Sequence, residues 1–150
     1  NRLEGETNKI IKQKIESALN RKLIIIFCIG ETFKEKKEGK TFSVLRKQIK
    51  TSLEKKFNIN KIIFAYEPVW SIGTNQIPKI GELKIIVKFI REEYMKIFKT
   101  KNSPKVLYGG SVNDKNICLF APIPEIDGFL IGGASRSSKK FIDIIKNYYK

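Results

Sequence analysis

The chain has 150 residues, 41% hydrophobic and 30% charged, with 10 glycines and 5 prolines. Those proportions exclude collagen, low-complexity disorder and a disulfide scaffold, and a domain of this length buries roughly 68–70% of the surface its unfolded chain exposes. The formal charge of +15 is nearly all lysine, spread singly beside Ile, Asn and Phe; nucleic-acid proteins instead cluster their cations among aromatic platforms, so nucleic acid is not the expected partner.

The densest charged run, Lys34-Glu35-Lys36-Lys37-Glu38, alternates with acid and reads as a solvated helix or loop. Cys28 and Cys118 lie far apart in no metal-like spacing, which points to a reducing, cytoplasmic setting and no metal site. The longest apolar run, Leu23 to Ile29, is too short for a membrane span of about 20 residues. The start, Asn1 to Glu6, carries no apolar signal region. There is no histidine, and the only methionine is Met95.

In chain order, an opening helix is predicted over about Asn8 to Leu19, with Ile11, Ile15, Ala18 and Leu19 on one side. A strand follows at Leu23–Ile29. Phe42, Leu45, Ile49, Leu53 and Phe57 then recur at helical spacing, with Thr41 placed to cap them. The second strand is Ile62–Tyr66. Leu83, Ile86, Ile90, Tyr94 and Ile97 mark the next helix, which Pro78 can open from its first turn. Strands at Val106–Tyr108 and Ile126–Ile131 come next. Phe141, Ile144, Ile145 and Tyr148 mark a last helix, capped by Ser137 or Ser138. Each strand is apolar on consecutive residues, as suits strands buried on both faces of a parallel sheet. Alternating strands and helices mean βαβ units. A doubly wound sheet and a (βα)-barrel both satisfy this order.

The chemistry-bearing residues fall at the C-terminal ends of the strands, where α/β folds bind ligands. They are Cys28-Ile29-Gly30-Glu31-Thr32, Glu67-Pro68-Val69-Trp70-Ser71-Ile72-Gly73-Thr74, Gly109-Gly110-Ser111-Val112 and Gly132-Gly133-Ala134-Ser135. Paired glycines open backbone N–H groups to an anion such as phosphate, although tight strand-to-helix turns would use the same residues. Glu67 follows an apolar strand directly. A partly desolvated carboxylate there has a raised pKa and suits a general base, whereas a lysine partner would make it an ordinary ion pair. The small residues after it suit a lid.

Ala65-Tyr66-Glu67-Pro68-Val69-Trp70-Ser71-Ile72-Gly73-Thr74 resembles the active-site signature of the triosephosphate isomerase family. Leu107-Tyr108-Gly109-Gly110-Ser111-Val112 resembles its seventh-strand motif, and Ile126-Asp127-Gly128-Phe129-Leu130-Ile131-Gly132-Gly133-Ala134-Ser135 its eighth. Phe27-Cys28-Ile29-Gly30-Glu31-Thr32 resembles its fifth. The resemblance implies an α/β fold, the (βα)8 TIM barrel, of which the chain covers the fourth helix and strands five to eight with their helices. Residues 1–150 are then the C-terminal half of one barrel domain.

The implied activity is interconversion of dihydroxyacetone phosphate and D-glyceraldehyde 3-phosphate through an enediol, with no cofactor and no metal. Glu67 moves the proton, and Gly73, Ser111, Gly132 and Gly133 offer N–H groups to the substrate phosphate. Val69 to Gln76, including Trp70, Ile72 and Thr74, form the lid. Tyr108 and Ser111 hold it closed, Glu31 supports it from beneath, and Cys28 is a buried structural thiol. The family also needs a Lys and a His from the N-terminal half, and this chain has no His. The resemblance further implies a homodimer. The sequence is therefore expected to be a truncated part of a complete enzyme and inactive alone. The alternative is a natural half-barrel, non-catalytic, that binds a phosphate or phosphorylated small molecule. Such a half would leave two unpaired sheet edges. Two local departures are Asn75, where the lid often ends in Gly, and Arg136, where an apolar residue is usual.

Overall fold

A computed structural model of the chain describes residues 5–150; the opening stretch read for a signal region therefore lies, through its first four residues, outside the described part. Four parallel strands form one sheet in the order β1-β2-β3-β4, with β1 at Ile25–Ile29, β2 at Ile62–Tyr66, β3 at Val106–Tyr108 and β4 at Gly128–Phe129. The helices are α1 (Asn8–Asn20), α2 (Phe33–Lys37), α3 (Thr41–Ser52), α4 (Ile80–Phe98), α5 (Ile117–Phe120) and α6 (Ser138–Tyr148). Short 3-10 turns occur at Ile59–Lys61 and Gly133–Arg136.

Strand order decides between the two architectures left open by the pattern. A doubly wound sheet reverses direction at a switch point. Here every strand lies beside its predecessor, and right-handed crossovers in one direction place all connecting helices on one face. That is the winding of a barrel segment.

The core sits between this sheet and the helices. Leu45 and Ile49 of α3, Leu83, Ile86, Val87 and Ile90 of α4, and Phe64 of β2 are all at most 1% exposed. Phe64 joins this layer edge-on to Tyr94, with ring centroids 5.8 Å apart. The central strand β2 is buried at four of its five positions. β1 is not: Ile26 is 46% exposed, and Leu23 and Ile24 just before it are also exposed. The expectation of strands covered on both faces thus holds for β2 and fails for β1, which has a sheet neighbour on one side only.

Four smaller expectations are corrected. The first strand begins at Ile25 rather than Leu23, and the last is confined to Gly128–Phe129 rather than Ile126–Ile131, because only paired residues are strand. Thr41 is not a cap. The N-cap of α3 is Lys40, whose N–H bonds the Glu35 carbonyl at 2.9 Å, so α2 leads straight into α3 and draws Thr41 into its buried first turn. Pro78 does not open α4 either; Lys79 remains extended (ψ 141°) and the helix begins at Ile80. Apolar spacing also runs past the end of α3, where Leu53 is extended (ψ 144°) yet Leu53 and Phe57 remain in the core. Ser137 does cap α6, its hydroxyl accepting from the Lys140 N–H.

Candidate active site

The C-terminal end of β2 is built to hold Glu67 in one place. Its N–H bonds the Ile29 carbonyl at 2.8 Å, continuing the β1–β2 ladder beyond the strand. On one side Gly30 approaches so closely that a Cβ there would sit 1.9 Å from the Glu67 carbonyl oxygen. On the other side a Cβ at Gly109 would sit 2.5 Å from Glu67 Cγ. Both glycines are needed for close approach. Gly30 is itself clamped by Gln48 of α3, whose Oε1 accepts from the Gly30 N–H (3.0 Å) while its Nε2 donates to the Gly30 carbonyl (2.8 Å). A side-chain amide here satisfies both backbone groups at the end of the β1 edge.

The Glu67 side chain is half-buried, and desolvation raises its pKa above the ordinary carboxylate range. A hydrogen bond from Cys28 opposes that rise. Cys28 is therefore a half-buried thiol against the carboxylate rather than a buried structural one. A cleft of about 660 Å³ runs from Glu67 along β1 to α1, lined by Ile11, Ile15, Ile26, Cys28, Val69 and Ile72 among others.

Beyond Glu67 the chain turns back on itself. The Val69 N–H bonds the Glu31 carbonyl (2.9 Å), and the Ser71 N–H bonds the Pro68 carbonyl (2.8 Å). Glu31 is fully buried beneath this segment. Its carboxylate accepts from Trp70 Nε1 (2.9 Å) and from the Tyr66 hydroxyl (3.1 Å). Burial and the Glu31 charge push the Tyr66 phenol far above its ordinary pKa, so it remains a donor. Lys36 of α2 lies 4.1 Å from the Trp70 ring centroid and also pairs with Glu82 of α4 at 2.7 Å.

Residues 72–76 are exposed and held by short-range bonds. Thr74 Oγ1 donates to the Trp70 carbonyl (2.9 Å) and accepts from the Gln76 N–H (3.2 Å). Gly73 and Asn75 both have positive φ, 71° and 61°; Asn adopts that region more readily than other non-glycine residues. The Asn75 N–H reaches across to Ser111 Oγ at 3.0 Å.

The glycine pairs differ. Gly132 and Gly133 have nothing within 4 Å of a Cβ position, and both are exposed, as is Gly73. Ser111, by contrast, already donates its N–H to Ser71 Oγ at 3.1 Å. Arg136 ends the 3-10 turn after Gly132 and points into solvent rather than the core. Among the described residues, no group of three or more His, Cys, Asp or Glu side chains is placed to hold a metal ion. No helix among them is long and apolar enough to cross a membrane.

A family profile described as triosephosphate isomerase matches residues 1–148. The chain belongs to the triosephosphate isomerase family. It is 44% identical over 147 residues to the triosephosphate isomerase of Dictyoglomus thermophilum, covering 95% of this chain and 59% of that protein. The triosephosphate isomerase of Borrelia garinii is 41% identical over 148 residues, with 95% and 58% covered. Among solved structures, the crystal structure of triosephosphate isomerase from Bartonella henselae superposes with a TM-score of 0.83 at 32% identity, covering 97% of this chain and 58% of that one. The fold is thus part of a TIM barrel, and the chain spans a little under three fifths of the length of the triosephosphate isomerases it matches.

Glu67 and the glycine pairs stand out in the sequence by their place at strand ends, and the roles of Glu31, Trp70 and Tyr108 are implied by the family resemblance. Neither Gln48 nor Lys36 is singled out, and Ser71 is read only as part of the lid segment. Gln48 did leave a signal, since it occupies a polar position on the same buried face as Leu45, Ile49 and Ser52 of α3. The Ser71 hydroxyl left none, since two of its partners, Tyr108 and Ser111, lie 37 and 40 residues further along the chain.

Proposed function

We propose that the protein carrying this chain interconverts dihydroxyacetone phosphate and D-glyceraldehyde 3-phosphate by proton transfer through an enediol. The observation that carries this reading is Glu67: a half-buried carboxylate with a raised pKa, held at the end of β2 between two tightly apposed glycines. A base with that environment takes a carbon-bound proton near neutral pH and returns it to the neighbouring carbon. The exposed, uncrowded Gly73, Gly132 and Gly133 support a role for their N–H groups at the substrate phosphate, whereas the Ser111 N–H, expected as a further donor, is taken by Ser71 Oγ. Segment 69–76 is the lid, Val69, Trp70, Ile72 and Thr74 its frame, with Tyr108, Ser111 and Glu31 beneath. When closed it excludes water, which favours proton return over loss of phosphate.

Residues 1–150 act as the C-terminal half of a single barrel domain. The carbonyl-polarising Lys and His of the family belong to the other half, so this chain alone does not turn over. The complete protein is a cytoplasmic homodimer of glycolysis and gluconeogenesis.

The test is Glu67→Gln in the complete barrel. Turnover falls by orders of magnitude, while affinity for 2-phosphoglycolate changes less than threefold. Equal loss of turnover and analogue binding would mean that Glu67 maintains the site's structure rather than its chemistry.

A further inference from the structure

We infer that Ser71 is a positioning residue, its hydroxyl joining both ends of the lid to the Ser111 amide and so setting the shape of the phosphate-facing loop after β3. The inference rests on the reading of segment 69–76 as a lid.

Ser71 is fully buried, although it lies in a turn whose following five residues are exposed. A hydroxyl has one proton and two acceptor positions. Ser71 Oγ donates its proton to the Gln76 carbonyl at 2.5 Å, which closes the loop on itself. The contact with the Tyr108 hydroxyl at 3.2 Å must then be donated by Tyr108. Burial pushes that phenol up to about 12, so it carries its proton at neutral pH. The remaining acceptor position takes the Ser111 N–H at 3.1 Å. All hydrogen-bonding capacity of this one oxygen is used, and each bond goes to a different element of the site.

The space for the junction is reserved by Gly110. A Cβ there would lie 2.1 Å from the Tyr108 hydroxyl and 2.6 Å from Ser71 Oγ. Two further contacts leave the junction. Ser111 Oγ accepts from the Asn75 N–H, and Asn116 Nδ2 donates to the Ser111 carbonyl at 2.9 Å. The lid is therefore fastened to the β3 loop twice, through Ser71 and through Ser111, and only Ser71 also ties residue 71 to residue 76. Replacing Ser71 by alanine leaves the Gln76 carbonyl and the Ser111 amide without their partner, and the segment loses its link to β3 at the buried end.

The experiment is native-state amide hydrogen exchange on the protein with Ser71→Ala. The Ser111 amide is expected to exchange about tenfold faster, while the Phe64 amide of β2, bonded to the Lys105 carbonyl, changes less than twofold. A purely space-filling Ser71 would speed both amides together, and that result overturns the proposal. So does an unchanged Ser111 amide. If the alanine variant loses Phe64 protection altogether, Tyr108→Phe decides, since it removes one arm of the junction: about threefold faster exchange at Ser111 supports the proposal, and unchanged exchange overturns it. No substrate enters the measurement. Failure here would leave the isomerase reading intact, and failure of the Glu67→Gln test would leave this junction intact.

Discussion

The exits of β1 and β3, which flank β2, and the exit of β4 carry the same sequence device, glycine at a strand end, and use it for opposite purposes. Around β2 the glycines are crowded. Gly30 and Gly109 press on Glu67, and Gly110 makes room for the hydroxyls of Tyr108 and Ser71. After β4, Gly132 and Gly133 face no atom within 4 Å of a Cβ position. The first group lets other atoms of the protein come close; the second keeps backbone N–H groups accessible from outside. Crowded glycines belong to a close-packed frame around Glu67, and open ones to an exposed surface.

Substitution separates the two groups, and the largest effect is expected at Gly30. Gly30→Ala forces backbone against backbone, so the strand ends must part; a loss of about 3 kcal/mol, read by urea unfolding, is expected. A loss under about 0.5 kcal/mol would mean that β1 and β2 are free to separate and that the frame is not rigid. Gln48→Ala tests the same frame from the helix side. It strips both partners from the Gly30 peptide groups and costs about 2 kcal/mol in the same assay. A neutral result would show water replacing the amide.

Glu67 offers a change of opposite sign. Its folded-state pKa is raised, so between pH 4.5 and that raised value the folded state holds a proton the unfolded state has released. Stability contributed by this group is therefore lost as pH rises through the window. Glu67→Gln should raise the melting temperature at pH 7 by about 2 °C, with the gain gone at pH 4. A lower melting temperature at pH 7 would indicate that the charged carboxylate is stabilised in place. The smallest effect belongs to the open group: Gly133→Ala should change unfolding free energy by less than about 0.5 kcal/mol. A larger loss would erase the contrast between the two groups of glycines.

The flanks of the sheet differ as well. β2 has neighbours on both sides and is buried. β1, with one neighbour, leaves Ile26 exposed beside the cleft that leads to Glu67. At the other flank, the short strand β4 is tied down by Asp127. That carboxylate accepts from the Val106 N–H (2.7 Å) and from Arg91 of α4 (2.7 Å). A side chain thus completes a ladder that two strand residues alone extend only slightly.

The amino-acid sequence alone determined the alternation of strands and helices, because apolar spacing is a local property of the chain. Ile62–Tyr66 was read to the residue, and the opening helix to within one. It also determined which side chains stand at strand ends, and Glu67 was identified there. Tertiary structure decided three things. It set the strand order that distinguishes a barrel segment from a doubly wound sheet, since local periodicity carries no information about which strands pair. It decided that Leu23, Ile24 and Ile26 remain exposed while equally apolar residues of β2 are buried, because burial depends on a neighbour. Finally, it joined Gln48 to Gly30 across 18 residues and Ser71 to Ser111 across 40. Such contacts arise only when separate elements meet, and a polar residue does not announce its distant partner.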